Sequence, residues 1–264
     1  IEGKPLLAMA HGTVGLQHAA MAIYNAWCDR VPVYIMLGNT LDATQRNGEV
    51  AWLHSVQDAS AMVRDFTKWD DTPISLGHFA ESAVRAYKIA MTPPTLPVVL
   101  TSDSELQEHA IPASFNPKIP KLTLTSPPQG DQAAVAAAAK LLVAAENPII
   151  YAGRAARTPN GLKLMIELAE TLQAGVVDQH LRMNFPSRHP LNQSLRTATG
   201  GRGPMPAVLA DADVILGLEA SDFYGATQGR QRNTSRPPAK VISVTAGDLY
   251  LKGNYQDFMR YTET

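Results

Sequence analysis

Residues 7–39, LAMAHGTVGLQHAAMAIYNAWCDRVPVYIMLGN, decide the fold. Leu6-Leu7-Ala8-Met9 is a short apolar run of strand type, and His11-Gly12-Thr13-Val14-Gly15 interrupts it. Ala19, Ala22, Ile23, Ala26 and Trp27 recur at three-to-four spacing, which places them on one helical face. Asp29-Arg30 closes that helix. Val31-Pro32-Val33-Tyr34-Ile35-Met36-Leu37 is a buried-type strand ending at Gly38. Strand, helix and strand of this length make a βαβ unit, with a parallel sheet and a right-handed crossover. Such sheets bind ligands at the carboxyl ends of their strands. Here those ends are His11–Gly15 and Gly38-Asn39.

Working outward, Thr40–Ser55 is polar and mixed, either a loop across that face or a plain surface connection. Ser55–Val63 suggests a short helix. Leu76, Phe79, Ala83, Ala86, Tyr87 and Ala90 define an amphipathic helix, which Thr92-Pro93-Pro94 ends, since proline cannot donate. Pro97–Thr101 is the next strand. Prolines 112, 117, 120, 127 and 128 mark a semi-extended linker. Asp131 can cap a helix over Ala133–Ala145. Then come a strand over 148–153, a helix over Asn160–Leu172, a strand at 175–178, a short helix at 204–210, and strands at 213–218 and 240–244. Alternation of this kind predicts α/β architecture: two open parallel-sheet, three-layer domains. The expected boundaries are 1–112, a linker at 113–130, and 131–264.

Composition narrows the function. The 264 residues carry 23 Lys+Arg against 24 Asp+Glu, a net charge of −1, which gives no case for nucleic acid or an anionic membrane as partner. No apolar run approaches the ~20 residues of a membrane span. A single cysteine excludes an internal disulfide and fits a reducing, cytoplasmic setting. Cys28 follows Trp27 and reads as packing on the buried side of its helix. No visible signal peptide precedes the first strand, and the chain opens without Met, as if cut from something longer.

Individual motifs are modest. Gly12–Gly15 is a GxxG turn, not the GxGxxG fingerprint; it is either a tight strand-to-helix turn or a backbone approach to a ligand. His11 and His18 beside it can titrate or donate. Gly200-Gly201-Arg202-Gly203-Pro204 feeds a second helix and is either a phosphate cradle or a flexible loop. Arg154, Arg157, Arg182 and Arg188 stand near strand ends, as anion ligands or as solvated surface. No metal-ligand spacing and no nucleophile motif stands out.

Order says more than any single motif. HGTVGLQHAAMAIYNAWCDRVPVYIMLGN, SVQDASAMVRDFTKWDD and HFAESAVRAYKIAMTPPTLPVVLTSD together resemble the pyrimidine-binding domain of thiamine-diphosphate enzymes of the acetolactate-synthase-like group. Thr13-Val14-Gly15 stands where that family has a glycine-proline-glycine turn. Asp29-Arg30-Val31-Pro32 is similar to its strand entry, Gly38-Asn39 to its Gly-Gln, Val56-Gln57-Asp58 to Phe-Gln-Glu, and Phe66–Trp69 to its Thr-Lys segment. NPIIYAGR, FPSRHPL, ADADVILGLEA and ISVTAGDLYLKGNYQDF resemble the family's central domain.

This resemblance implies a 2-oxo acid decarboxylase or carboligase that uses thiamine diphosphate and Mg2+ in an active site between subunits of a homodimer or homotetramer. It implies that Thr13, Val14, Gly15, His18 and Asn39 line the cofactor, and that Gln57 and Lys68 face the substrate. Lys68 would then stabilise a carboxylate or oxyanion; a surface salt bridge is its alternative. The activating glutamate is expected upstream, and the diphosphate and magnesium motif downstream. By itself the chain is expected not to turn over substrate. The departures at Thr13-Val14, Asn39 and Val56 fall where the family touches cofactor or substrate. A central domain that holds FAD or ADP without catalysis of its own is the alternative.

Overall fold

The computed structural model describes residues 3–124, 126, 129–179, 183–194, 207–220, 223 and 239–246. The chain divides into two compact units, Ile1–Pro127 and Pro128–Thr264. Each holds a four-stranded parallel sheet.

In the first unit, β1 (Leu6–Ala10) leads through α1 (Gly12–Cys28) to β2 (Val33–Asn39). α1 starts at the glycine turn, seven residues before the apolar face that announced it. Arg30 completes the exit with φ of 52°. A short helix, α2 (Ala51–His54), and three 3-10 turns (Ala43–Gln45, Ser60–Met62, Arg64–Phe66) lie between β2 and the next strand. A three-residue strand, β3 (Trp69–Asp71), follows; it is too short and too acidic for its pattern to announce it. α3 (Leu76–Met91) begins at Ser75, whose Oγ accepts the His78 N–H at 3.1 Å. β4 (Val98–Asp103) is buried along its whole length, as a central parallel strand must be. α4 (Ser104–Glu108) closes the series.

The strand order is β1-β2-β4-β3. Leu16 and Ile23 of α1, seven residues apart on one face, pack on Ile35, Leu37 and Val99 with Val63 from the 3-10 region. Ala86 and Ala90 of α3 pack on Val98 with Tyr34 and Trp69. β1 is an edge strand, and Met9 is 81% exposed.

Cys28 corrects the sequence expectation: it is exposed and in no disulfide. It lies five residues past Ile23, about 140° around the helix, off the packed face. Arg85 places its guanidinium carbon 5.9 Å over the Trp69 ring.

In the second unit, α5 (Gln132–Val143) is capped by Asp131, whose Oδ1 accepts from Ala134 N–H at 2.8 Å. β5 (Pro148–Ala152), α6 (Pro159–Leu172) and β6 (Gly175–Asp178) follow. Thr158, not Asn160, sets the start of α6; its Oγ1 accepts from Gly161 N–H at 3.0 Å. α7 (Ala207–Ala210), β7 (Val214–Leu218) and β8 (Lys240–Val244) complete the order β6-β5-β7-β8. That order reverses between β5 and β7. Among the described residues, no helix is long and apolar enough to cross a membrane.

Candidate functional site

The carboxyl ends of β1, β2 and β4 converge on one rim of the first sheet. Ala10 leads into His11 and Gly12, β2 ends at Gly38-Asn39, and β4 ends at Ser102-Asp103. Gly12 has φ of +44°, and a Cβ there would lie 2.7 Å from the His54 carbonyl oxygen. Only glycine fits that turn. At Gly15 a Cβ would sit 3.1 Å from the Ala10 carbonyl carbon, so its absence lets α1 start close against β1.

The segment between β2 and β3 folds back over this rim and is pinned there. The Asn39 Nδ2 donates to the Val56 carbonyl at 2.8 Å, and the Val56 N–H donates to Asn39 Oδ1 at 3.2 Å. This pair copies a strand-to-strand exchange with a side chain, and Asn39 is buried. The Thr13 hydroxyl donates to the His54 carbonyl at 3.1 Å. Arg46 donates through Nε to the Thr40 carbonyl at 2.8 Å and through Nη2 to Leu41 and Val56. Asp103 Oδ1 accepts from the Leu41 N–H at 2.9 Å. Asn47 Oδ1 accepts from the Val50 N–H at 2.8 Å, just ahead of α2. Farther along, the Arg64 guanidinium bridges Asp58 and Asp70 at 2.9 and 2.8 Å. Its hydrogen bond is the main cause that holds the Asp58 carboxyl below the usual range.

Beside the rim lies a pocket of about 560 Å³. Met9, Met36, Leu37, Leu76, Phe79 and Leu106 give it apolar walls; His11, Ser102 and Gln107 give it polar edges. A mostly apolar concavity with a few convergent polar groups is the usual form of a small-molecule site.

Thr13, Gly15 and Asn39 therefore come together at one rim, and Val14 is half-buried in the first turn of α1. His18 is exposed farther along that helix, and Gln57 is exposed next to the pinned Val56. Lys68 does not join them. It precedes β3, at the amino end of the sheet. Its ammonium donates to the carbonyls of Ile89, Thr92 and Pro94 at 3.0, 2.6 and 3.0 Å. It thus closes the carboxyl end of α3, where a cation suits the exposed carbonyls. Burial lowers its pKa. The expectation of a substrate contact gives way to this capping role, because three carbonyls already claim its three protons. Sequence reasoning missed His54; a histidine two residues before Val56-Gln57-Asp58 was the only signal.

In the second unit, described groups pack closely at the carboxyl ends of β5 and β7. A Cβ at Gly153 would lie 2.0 Å from the Glu219 carbonyl oxygen. Asn184 Oδ1 accepts from the N–H groups of Ala155 and Ala156, both at 3.1 Å, and its Nδ2 donates to Asp178 Oδ1 at 2.9 Å. Those two N–H groups are therefore bonded within the chain. Arg154 is buried, and Arg157 Nε donates to the Arg154 carbonyl at 3.2 Å. The glycine-rich segment at 200–204, Arg182 and residues 247–264 lie outside the described residues.

Comparison with known proteins agrees with this fold. Residues 135–259 match the family model for the thiamine pyrophosphate enzyme central domain. The chain is 26% identical over 250 residues to sulfoacetaldehyde acetyltransferase of Alcaligenes xylosoxydans, covering 93% of this chain and 40% of that protein. It is 27% identical over 230 residues to a Pseudomonas aeruginosa protein assigned as 2-ketoarginine decarboxylase AruI, covering 84% of this chain and 39% of that one. A crystal structure from Mycobacterium smegmatis, assigned as a thiamin diphosphate-dependent enzyme, superposes with a TM-score of 0.67 at 25% identity, covering 84% of this chain and 41% of that one. The chain thus spans about two fifths of the length of these relatives. Residues 135–259 thus resemble the thiamine pyrophosphate enzyme central domain, and the two parallel-sheet units together are similar in fold to a thiamin diphosphate-dependent enzyme.

Proposed function

We propose that the complete protein is a thiamine-diphosphate-dependent decarboxylase or carboligase acting on 2-oxo acids, of acetolactate-synthase-like type, and that this chain forms one wall of its cofactor site. The observation that carries this reading is the carboxyl-end rim, where the side-chain-free positions Gly12 and Gly38 line an apolar pocket.

The pocket suits the flat aminopyrimidine end of the cofactor, which needs apolar faces and a few polar edges. Among the described residues, no group of three His, Cys, Asp or Glu could hold a metal ion. In this reading the diphosphate and Mg2+ are held mainly by other parts of the protein, as the family resemblance implies. When bound, thiamine diphosphate supplies the carbanion chemistry.

The residues of this chain have positioning roles. Thr13, Val14 and Gly15 form the first turn of α1 beside the ring, and Gly12 lets the His54 carbonyl close against that turn. Asn39 holds Val56 in place and so fixes the backbone on which Gln57 faces the substrate. His18 lines the outer edge of the same wall. Met36, Leu37 and Phe79 exclude water, which strengthens each remaining polar contact. A homodimer or homotetramer in the cytoplasm, with the site shared between subunits, completes the reading.

The test uses the full-length protein with thiamine diphosphate and Mg2+. Carbon dioxide released from at least one of a panel of 2-oxo acids, dependent on added cofactor, supports the proposal. No cofactor binding and no release from any of them refutes it.

A further inference from the structure

Two imidazoles from distant parts of the chain meet at the rim. The rings of His11, between β1 and α1, and His54, at the end of α2, have centroids 4.5 Å apart and planes tilted by 55°. His54 is tightly held. Its Nδ1 lies 2.7 Å from the Val50 carbonyl oxygen. Its own carbonyl accepts from Thr13 and sits against Gly12. A carbonyl oxygen can only accept, so Nδ1 carries the proton in the neutral ring, and Nε2 is the atom left to face a neighbour or a ligand.

His11 is at the N-cap of α1, where its side chain makes no capping hydrogen bond. Ser, Thr, Asp and Asn are the residues that stabilise that position. A histidine that does not cap gives up this stabilisation, so its presence asks for another reason. It also lines the pocket. The pocket's lining contains no Lys or Arg, and its polar side chains are His11, Ser102 and Gln107. Gln107 Nε2 already donates to the Ser102 carbonyl at 3.0 Å. An anionic oxo compound entering this space needs a donor for its carboxylate, since an unpaired buried charge is strongly disfavoured. His11 is the group placed to provide it.

We infer that His11 binds the carboxylate or carbonyl oxygen of a small 2-oxo acid, and that His54 is a positioning residue that fixes the orientation of the His11 ring. The inference rests on the function proposed above and assigns its substrate contact.

The test uses the full-length protein with thiamine diphosphate and Mg2+, and pyruvate, 2-oxobutyrate, 2-oxoglutarate and phenylpyruvate as probes. His11→Ser supplies a good cap, so it should melt at the same temperature as the parent or higher, and it should still bind thiamine diphosphate. For the accepted oxo acid, its KM should rise by about tenfold or more while kcat changes by less than about threefold. His54→Gln should raise KM by a smaller factor. Independently, carbethoxylation of His11 by diethyl pyrocarbonate, mapped by peptide mass spectrometry, should slow when the oxo acid is added to the holoenzyme. His189, in the second unit, should not change. A KM for His11→Ser within about twofold of the parent, or labelling of His11 indifferent to the oxo acid, overturns the inference while cofactor binding leaves the wider function standing. A parent protein that binds no thiamine diphosphate overturns both.

Discussion

Asn39 offers the sharpest test of how the rim is built. Its side chain exchanges two hydrogen bonds with the backbone of Val56, at 2.8 and 3.2 Å, from a buried position at the end of β2. Asn39→Ala removes both. At about 0.5–1.5 kcal/mol per bond, the loss is about 1–3 kcal/mol. Arg46, whose Nη2 lies 3.4 Å from the same carbonyl, can recover part of it. Asn39→Asp should be worse than Ala by about 1 kcal/mol or more, because a carboxylate oxygen would then face the Val56 carbonyl oxygen with no proton between them. Hydrogen exchange reads this locally. The Val56 amide of the alanine variant should exchange about tenfold to a hundredfold faster, since 1.4 kcal/mol is a factor of ten. Amides of β4 should move only as far as global stability moves. The reasoning fails if Val56 exchange is unchanged in Asn39→Ala, or if the Asp variant is as stable as the parent at neutral pH.

Gly12→Ala should destabilise by about 2–4 kcal/mol, from left-handed backbone strain and the contact with the His54 carbonyl. Gly38→Ala, where a Cβ meets only Gln107 Nε2 at 3.5 Å, should cost less than about 1 kcal/mol, and urea unfolding compares the two. Lys68→Met should cost about 2–4 kcal/mol by stranding three carbonyls at the end of α3. Calorimetry should find thiamine diphosphate affinity unchanged in that variant of the full-length protein. Asp58 has a folded pKa below its unfolded value, so its contribution is present above the usual carboxylate range and is lost as pH falls through the folded pKa. Asp58 is half exposed, so the contribution is below about 1 kcal/mol. Asp58→Asn should accordingly narrow the difference in melting temperature between pH 6 and pH 3.

The parallel framework was legible because buried strands and amphipathic helices leave periodic marks. Val33–Leu37, Val98–Leu100 and Ile149-Ile150 are apolar because both faces of their sheets are covered. The N-caps at Ser75, Asp131 and Thr158 follow local side-chain chemistry. β3 was not legible: three residues with two carboxylates carry no period, and only pairing with β4 makes them a strand. The role of Lys68 was hidden for a similar reason. The carbonyls it closes lie 21 to 26 residues away, and nothing near Lys68 announces them. Cys28 was misjudged because adjacency to Trp27 was taken for a shared face, although neighbours on a helix stand about 100° apart. The rim itself was half visible. The glycine turn and Asn39 can be read one by one, but the return of His54 and Val56 onto them depends on Arg46 and Asn47 within the loop and on Asp103 from β4.

The central claim is that the carboxyl-end rim of the first sheet is a wall of the thiamine diphosphate site. Hydrogen exchange by mass spectrometry on the full-length protein, with Mg2+ and with or without thiamine diphosphate, tests it most directly. The account predicts that the cofactor slows exchange in peptides covering Gly12–Gly15 and Gly38–Asn39, and leaves the Lys68 region unchanged. Bound cofactor with no protection at either segment would contradict it.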